Sequence, residues 1–204
     1  LRVPLVVREW AGLARLGEPV STGIPFAPGA LCSCDKLAIF DETGKRLPAQ
    51  FTPLARWPDG SVRWLLCDWL ASVPSRGRAQ YALGEQAGSP PETPLRLKED
   101  DGQYAVTTGS LRFTVRKRQF DLLHQVWMDR DGNGEFGEEE LMASSDSDLG
   151  LVLLGPGGQG RFTSGYGDVT ETAVEYRGPV RVCLRVRGML KDARGAGELS
   201  YTAR

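Results

Sequence analysis

The sequence predicts an all-β protein. Three observations carry that prediction: apolar and polar residues alternate with period 2 in segment after segment, turn-forming residues separate those segments, and helical periodicity is scarce. The 204 residues include Gly 25 and Pro 13, more than an ordinary soluble domain uses and without a collagen-like period. Such punctuation favours short strands joined by many turns.

Taken in order, RVPLVVREW (2–10), KLAIFD (36–41), VRWLLCDWL (62–70) and AQYAL (79–83) read as strands bounded by Gly, Pro, Asp or Ser. In VRWLLCDWL, apolar residues fall on both parities, so a strand buried on both faces is expected. The pattern breaks at GEQAGSPPETP (84–94), where three prolines disfavour pairing in a central strand. A linker is placed there, leaving residues 1–88 as a small closed β unit and 95–204 as the first part of a second antiparallel layer. Beyond it, QYAVTTGSLRFTVR (103–116) is the plainest alternation: Leu111, Phe113 and Val115 point one way while Arg112, Thr114 and Arg116 point the other. DVTETAVEYR (168–177), VRVCLRVRG (180–188) and LSYTAR (199–204) repeat the pattern. GEEELMASS (137–145) is the best helical candidate, one turn or two, with Glu138, Glu139 and Glu140 suited to a helix amino terminus. LSYTAR stops within a strand pattern, so the parent polypeptide is expected to continue.

The formal net charge is −1, so no global field draws nucleic acid, and a local site must explain any charged partner. No apolar run reaches the roughly 20 residues of a membrane helix. Cys32, Cys34, Cys67 and Cys183 are too scattered for a disulfide scaffold and are expected as buried free thiols.

A family resemblance rests on ordered phrases. Gly17-Glu18-Pro19-Val20, Gly23-Ile24-Pro25-Phe26, Gly29-Ala30-Leu31 and, above all, Ala55-Arg56-Trp57-Pro58-Asp59-Gly60-Ser61-Val62-Arg63-Trp64-Leu65 resemble the amino-terminal RIFT-type barrel of the rhamnogalacturonan exolyase-like family. Thr108-Gly109-Ser110-Leu111-Arg112-Phe113, Gly178-Pro179-Val180-Arg181 and Tyr201-Thr202-Ala203-Arg204 look like the opening strands of its central β-sandwich. The resemblance implies secretion or a periplasmic location, an acidic polysaccharide partner cleaved by β-elimination, and an α/α toroid as the continuation of the polypeptide. No catalytic residue of that family maps onto these positions. A free-standing carbohydrate-binding or interaction module is the alternative.

In the barrel phrase, Trp57 with Arg56 and Arg63 offers a candidate sugar platform, since pyranose faces pack on aromatic rings and arginines pair with uronates. The competing reading is a hairpin core. The sharpest chemical signal is Asp129-Arg130-Asp131-Gly132-Asn133-Gly134-Glu135-Phe136-Gly137-Glu138-Glu139-Glu140. With Asp129 as position 1, Asp131, Asn133, Glu135 and Glu140 occupy the ligand positions of a calcium loop, and Gly134 stands at the sharp turn. Ca²⁺ asks for six to eight hard oxygens, which short side chains at alternate positions and a closing Glu supply. Only one such loop occurs, so the expected ion is structural Ca²⁺. His124, the only histidine, invites a general-base reading, but spacing assigns it no partner acid. The basic run Arg116-Lys117-Arg118 reads as a solvated strand end, and the glycine run at 155–160 lacks the serine or lysine of a nucleophile elbow or phosphate loop.

Overall fold

The computed structural model describes residues 1–145, 150–197 and 199–204. It is all-β: a RIFT-type barrel followed by an antiparallel sandwich portion, with every strand pairing antiparallel. Among the described residues no helix is long and apolar enough to cross a membrane. The chain divides into two compact units, Leu1–Thr93 with Gly178–Arg181, and Pro94–Arg177 with Val182–Arg204.

The first unit holds β1 (Val3–Arg8), β2 (Arg15–Pro25), β3 (Leu37–Asp41), β4 (Arg46–Leu47), β5 (Ala49–Arg56), β6 (Val62–Val73) and β7 (Arg78–Glu85). They form two sheets, ordered β1-β7-β3-β4 and β2-β6-β5. Proline, which cannot donate to a ladder, follows that order: Pro4, Pro19, Pro25 and Pro53 lie on the edge strands β1, β2 and β5. The central strands β3, β6 and β7 have none. Along β6, Leu65, Cys67, Trp69, Ala71 and Val73 are buried, and they join Ile39, Val62 and Leu83 in the core. The expected burial of both β6 faces fails at Trp64, which is 42% exposed on the opposite face. Period 2 sends its ring away from the core whatever its hydrophobicity. The strands β2 and β5 escape the sequence pattern because glycine and proline interrupt their alternation.

The second unit has a five-stranded sheet, ordered β12-β11-β10-β9-β8. Its strands are β8 (Leu95–Glu99), β9 (Gln103–Thr108), β10 (Leu111–Arg116), β11 (Gln125–Met128) and β12 (Leu141–Ser144). A hairpin of β13 (Val152–Leu154) and β14 (Arg161–Thr163) follows, then a sheet of β15 (Val169–Arg177), β16 (Val182–Leu190) and β17 (Leu199–Ala203). Tyr104, Val115, Phe120 and Val186 form its core, and Phe120 stacks on Tyr201 at 5.7 Å between centroids. The helix expected over 137–145 is reduced to one 3₁₀ turn, Glu138–Glu140, because Leu141–Ser144 pairs with β11 instead. Pairing with a neighbouring strand outweighs so short an apolar stripe.

Candidate functional site

The acidic loop begins where β11 ends. The Asp129 amide donates to the Ser110 carbonyl at 2.8 Å, which fixes the loop's first residue against the β9–β10 turn. The side chain then turns inward: Asp129 Oδ1 accepts from the Gly132 amide at 2.7 Å and Oδ2 from the Gly134 amide at 2.9 Å. Asp131 Oδ1 accepts from the Asn133 amide at 3.0 Å, and Asn133 Oδ1 accepts from the Glu135 amide at 2.6 Å. Gly134 has φ +79°, a left-handed conformation that glycine adopts without steric cost. Glu140, buried at 6% exposure, reaches back so that its Oε1 accepts from the Arg130 amide at 2.8 Å. Asp129, Asp131 and Glu140 each offer a carboxylate oxygen, and these oxygens lie within 4.8 Å of one another. Three anionic groups so close repel unless a cation joins them, and an all-oxygen set suits a hard ion such as Ca²⁺ or Mg²⁺. Asn133 and Glu135 stand on the same turn; Glu135 is exposed, so its main-chain carbonyl is the group that position 7 of such a loop uses.

In the barrel, Trp57 is half-buried and its indole N–H donates to the Phe26 carbonyl at 2.9 Å. The Arg63 guanidinium lies 4.7 Å from the ring centroid. Arg56 donates to the Gly60 carbonyl at 2.7 Å, closing the turn that Asp59 braces through Ser61. Arg56, Trp57 and Arg63 are therefore brought together, with the aromatic surface already partly covered by an arginine.

His124 does have a partner acid. Its Nδ1 is 2.9 Å from Asp121 Oδ2, the same oxygen that accepts from Arg116 Nη2 at 2.7 Å. The basic run is thus more engaged than expected: Arg116 pairs with the buried Asp121, and Lys117 lies 2.7 Å from Glu99 Oε1 and 4.7 Å from the Tyr104 ring. All four cysteines are free thiols, but Cys32 is exposed and Cys34 and Cys183 are only half-buried, so only Cys67 is fully enclosed. Burial pushes the Cys67 thiol up to about 12, which keeps it an unreactive core group.

Residues 9–82 match the sequence profile of the PcRGLX-like N-terminal RIFT barrel domain. Over these residues the chain is similar to the N-terminal RIFT barrel domain of rhamnogalacturonan lyase-like proteins. The RIFT barrel match begins at Glu9, whose side chain ties down the first loop, and ends within β7, the strand that pairs with both β1 and β3. The chain is also similar to an uncharacterized protein, YetA, of Bacillus subtilis (strain 168): 23% identical over 184 residues, which are 89% of this chain and 20% of that protein. The chain thus spans about a fifth of the length of the curated relative it matches.

Proposed function

We propose that this chain is the non-catalytic front part of a secreted or periplasmic polysaccharide lyase that cleaves a pectin-type, rhamnogalacturonan-like acidic polymer by β-elimination. The observation that carries the proposal is the match of residues 9–82 to a RIFT barrel domain of rhamnogalacturonan lyase-like proteins. Elimination beside a uronate needs a base for the C5 proton and cations for the developing enolate. Here His124 is held by Asp121, which is also tied to Arg116, and those partners serve the local fold. The chemistry is therefore assigned to the continuation of the polypeptide, an α/α toroid, and the present chain acts as scaffold and as one wall of the substrate cleft.

Within that scaffold, Asp129, Asp131, Asn133, Glu135 through its carbonyl, and Glu140 hold a structural Ca²⁺. Two observations support it: convergence of three carboxylates, and burial of the closing Glu140. When bound, the ion offsets most of the charge of the three converging carboxylates and fixes the end of β11 against the start of β12.

The deciding experiment uses the polypeptide extended through its downstream region, incubated with rhamnogalacturonan. Ultraviolet absorbance of an unsaturated uronate end is the expected result. Glycan binding by the extended protein without that product would replace this reading with a free-standing binding module.

A further inference from the structure

One face of the five-stranded sheet is the core face, carrying Tyr104, Val106, Phe113 and Val115. The pleat sends the alternate residues to the opposite face. There the register aligns Arg96 with Thr107, Thr107 with Arg112, and Arg112 with Trp127, so four strands contribute one continuous row. Lys98 stands two residues along β8 from Arg96, on the same face, and both are exposed. Arg96 and Arg112 are two strands apart, about 9–10 Å at the usual strand spacing. The Arg112 guanidinium lies 5.2 Å from the Trp127 ring centroid, a cation–π contact that restrains the side chain over the indole.

The acids of these strands are segregated. Across β8 to β11 the sole carboxylate is Glu99, which has the opposite parity to Arg96 and Lys98 and pairs with Lys117. Among the described residues, neither Lys98 nor Arg112 has a carboxylate within ion-pair distance. A sheet face with aligned cations, a hydroxyl between them and an indole at the end of the row is complementary to an anionic, C–H-rich polymer. The guanidinium and ammonium pair with carboxylates, the Thr107 hydroxyl accepts or donates to a sugar hydroxyl, and the exposed part of the indole packs on a pyranose.

We propose that this outward face, centred on Arg112 and Trp127 with Lys98, binds an acidic glycan through its uronate carboxylates. The inference rests on the acidic-polysaccharide reading above and adds the place where this chain meets the polymer, which is distinct from the Arg56, Trp57 and Arg63 surface.

The test is calorimetric titration of the 204-residue chain with an oligogalacturonate, beside a neutral dextran oligomer and a short DNA duplex. Binding of the oligogalacturonate alone is expected. Lys98→Gln with Arg112→Gln should weaken it about tenfold or more with an unchanged melting temperature. Removing two cations elsewhere, Lys36→Gln with Lys45→Gln, should leave it within about twofold. Arg112→Lys keeps the charge without the planar fork and should recover part of the affinity, a readout that survives if the double variant folds poorly. Wild-type affinity in Lys98→Gln/Arg112→Gln, or a loss confined to Arg56→Gln/Arg63→Gln, would overturn the site while leaving the acidic-glycan reading standing. Equal binding of the DNA would show unspecific charge attraction and overturn it too. If the chain ignores oligogalacturonate while the extended polypeptide still releases unsaturated product, this inference fails and the lyase reading survives.

Discussion

Glu9 is a carboxylate held mainly by backbone amides, with Arg15 Nη2 at 3.9 Å from its Oε1. Its oxygens accept from the amides of Ala11 at 2.7 Å, Gly12 at 2.9 Å and Arg76 at 2.9 Å. The Arg76 bond above all, with the Gly12 and Ala11 amides, holds the Glu9 carboxyl below its ordinary range against the opposing effect of burial. Arg76 itself has φ 52°, an uncommon conformation for a residue with a Cβ, and the grip of Glu9 helps to keep it there. Asp41, Asp59 and Asp100 are lowered in the same way by neighbouring hydroxyls and amides. A carboxyl whose folded pKa is depressed contributes stability that is fully present above its unfolded pKa and is lost as pH falls through the folded value. Thermal melts should therefore be flat near neutrality and drop below about pH 4. Glu9→Gln should melt lower than the wild type at pH 7, and the two curves should converge in acid, where the wild-type carboxyl is itself protonated. A constant gap across the pH range would show that the Glu9 charge does not matter.

The loop between β11 and β12 is the element on which the proposed ion would act. Its Asx-type bonds order the turn, yet they leave three carboxylates converging. Calcium at about one hundred times its dissociation constant would stabilise the folded chain by about 2.7 kcal/mol, read as a higher melting temperature. Asp129→Ala removes the oxygens that organise Gly132 and Gly134 and should abolish the increase. An identical melt in millimolar calcium and in EDTA would end the structural-calcium proposal. The barrel hairpin behaves differently, because Trp57, Arg63 and Arg56 are closed on one another and on the backbone by contacts already formed.

At the scale of the whole molecule, the first unit is discontinuous in sequence, and the segment Gly178–Arg181 completes it. Gln50 Oε1 accepts from the Arg181 amide at 2.8 Å, and Arg181 Nη2 lies 3.3 Å from the buried Asp68, which Ser21 also contacts. A Cβ on Gly178 would stand 2.3 Å from Gln50 Oε1, so a larger residue there would displace the Gln50 side chain from its bond to Arg181. Gln50→Ala should cost about 1–2 kcal/mol in urea unfolding. Combined with Asp68→Ala, the loss should depart from additivity, since both side chains hold the same segment. An additive pair would mean that they act separately. Residues near one another in sequence made much of the fold legible: the alternation in 103–116 and the oxygen spacing from Asp129 to Glu140 are set by short-range sterics and donor geometry. The sequence by itself therefore determined the all-β class, the family phrases and the acidic loop. Only the tertiary structure decided that Trp64 faces outward, that Asp121 sits beneath Arg116 and His124, and that Gly178–Arg181 completes the first unit. It alone set Arg112 beside Trp127, fifteen positions later in the chain. Each of these depends on pairing register and burial, which are settled between distant segments and leave no local period to read.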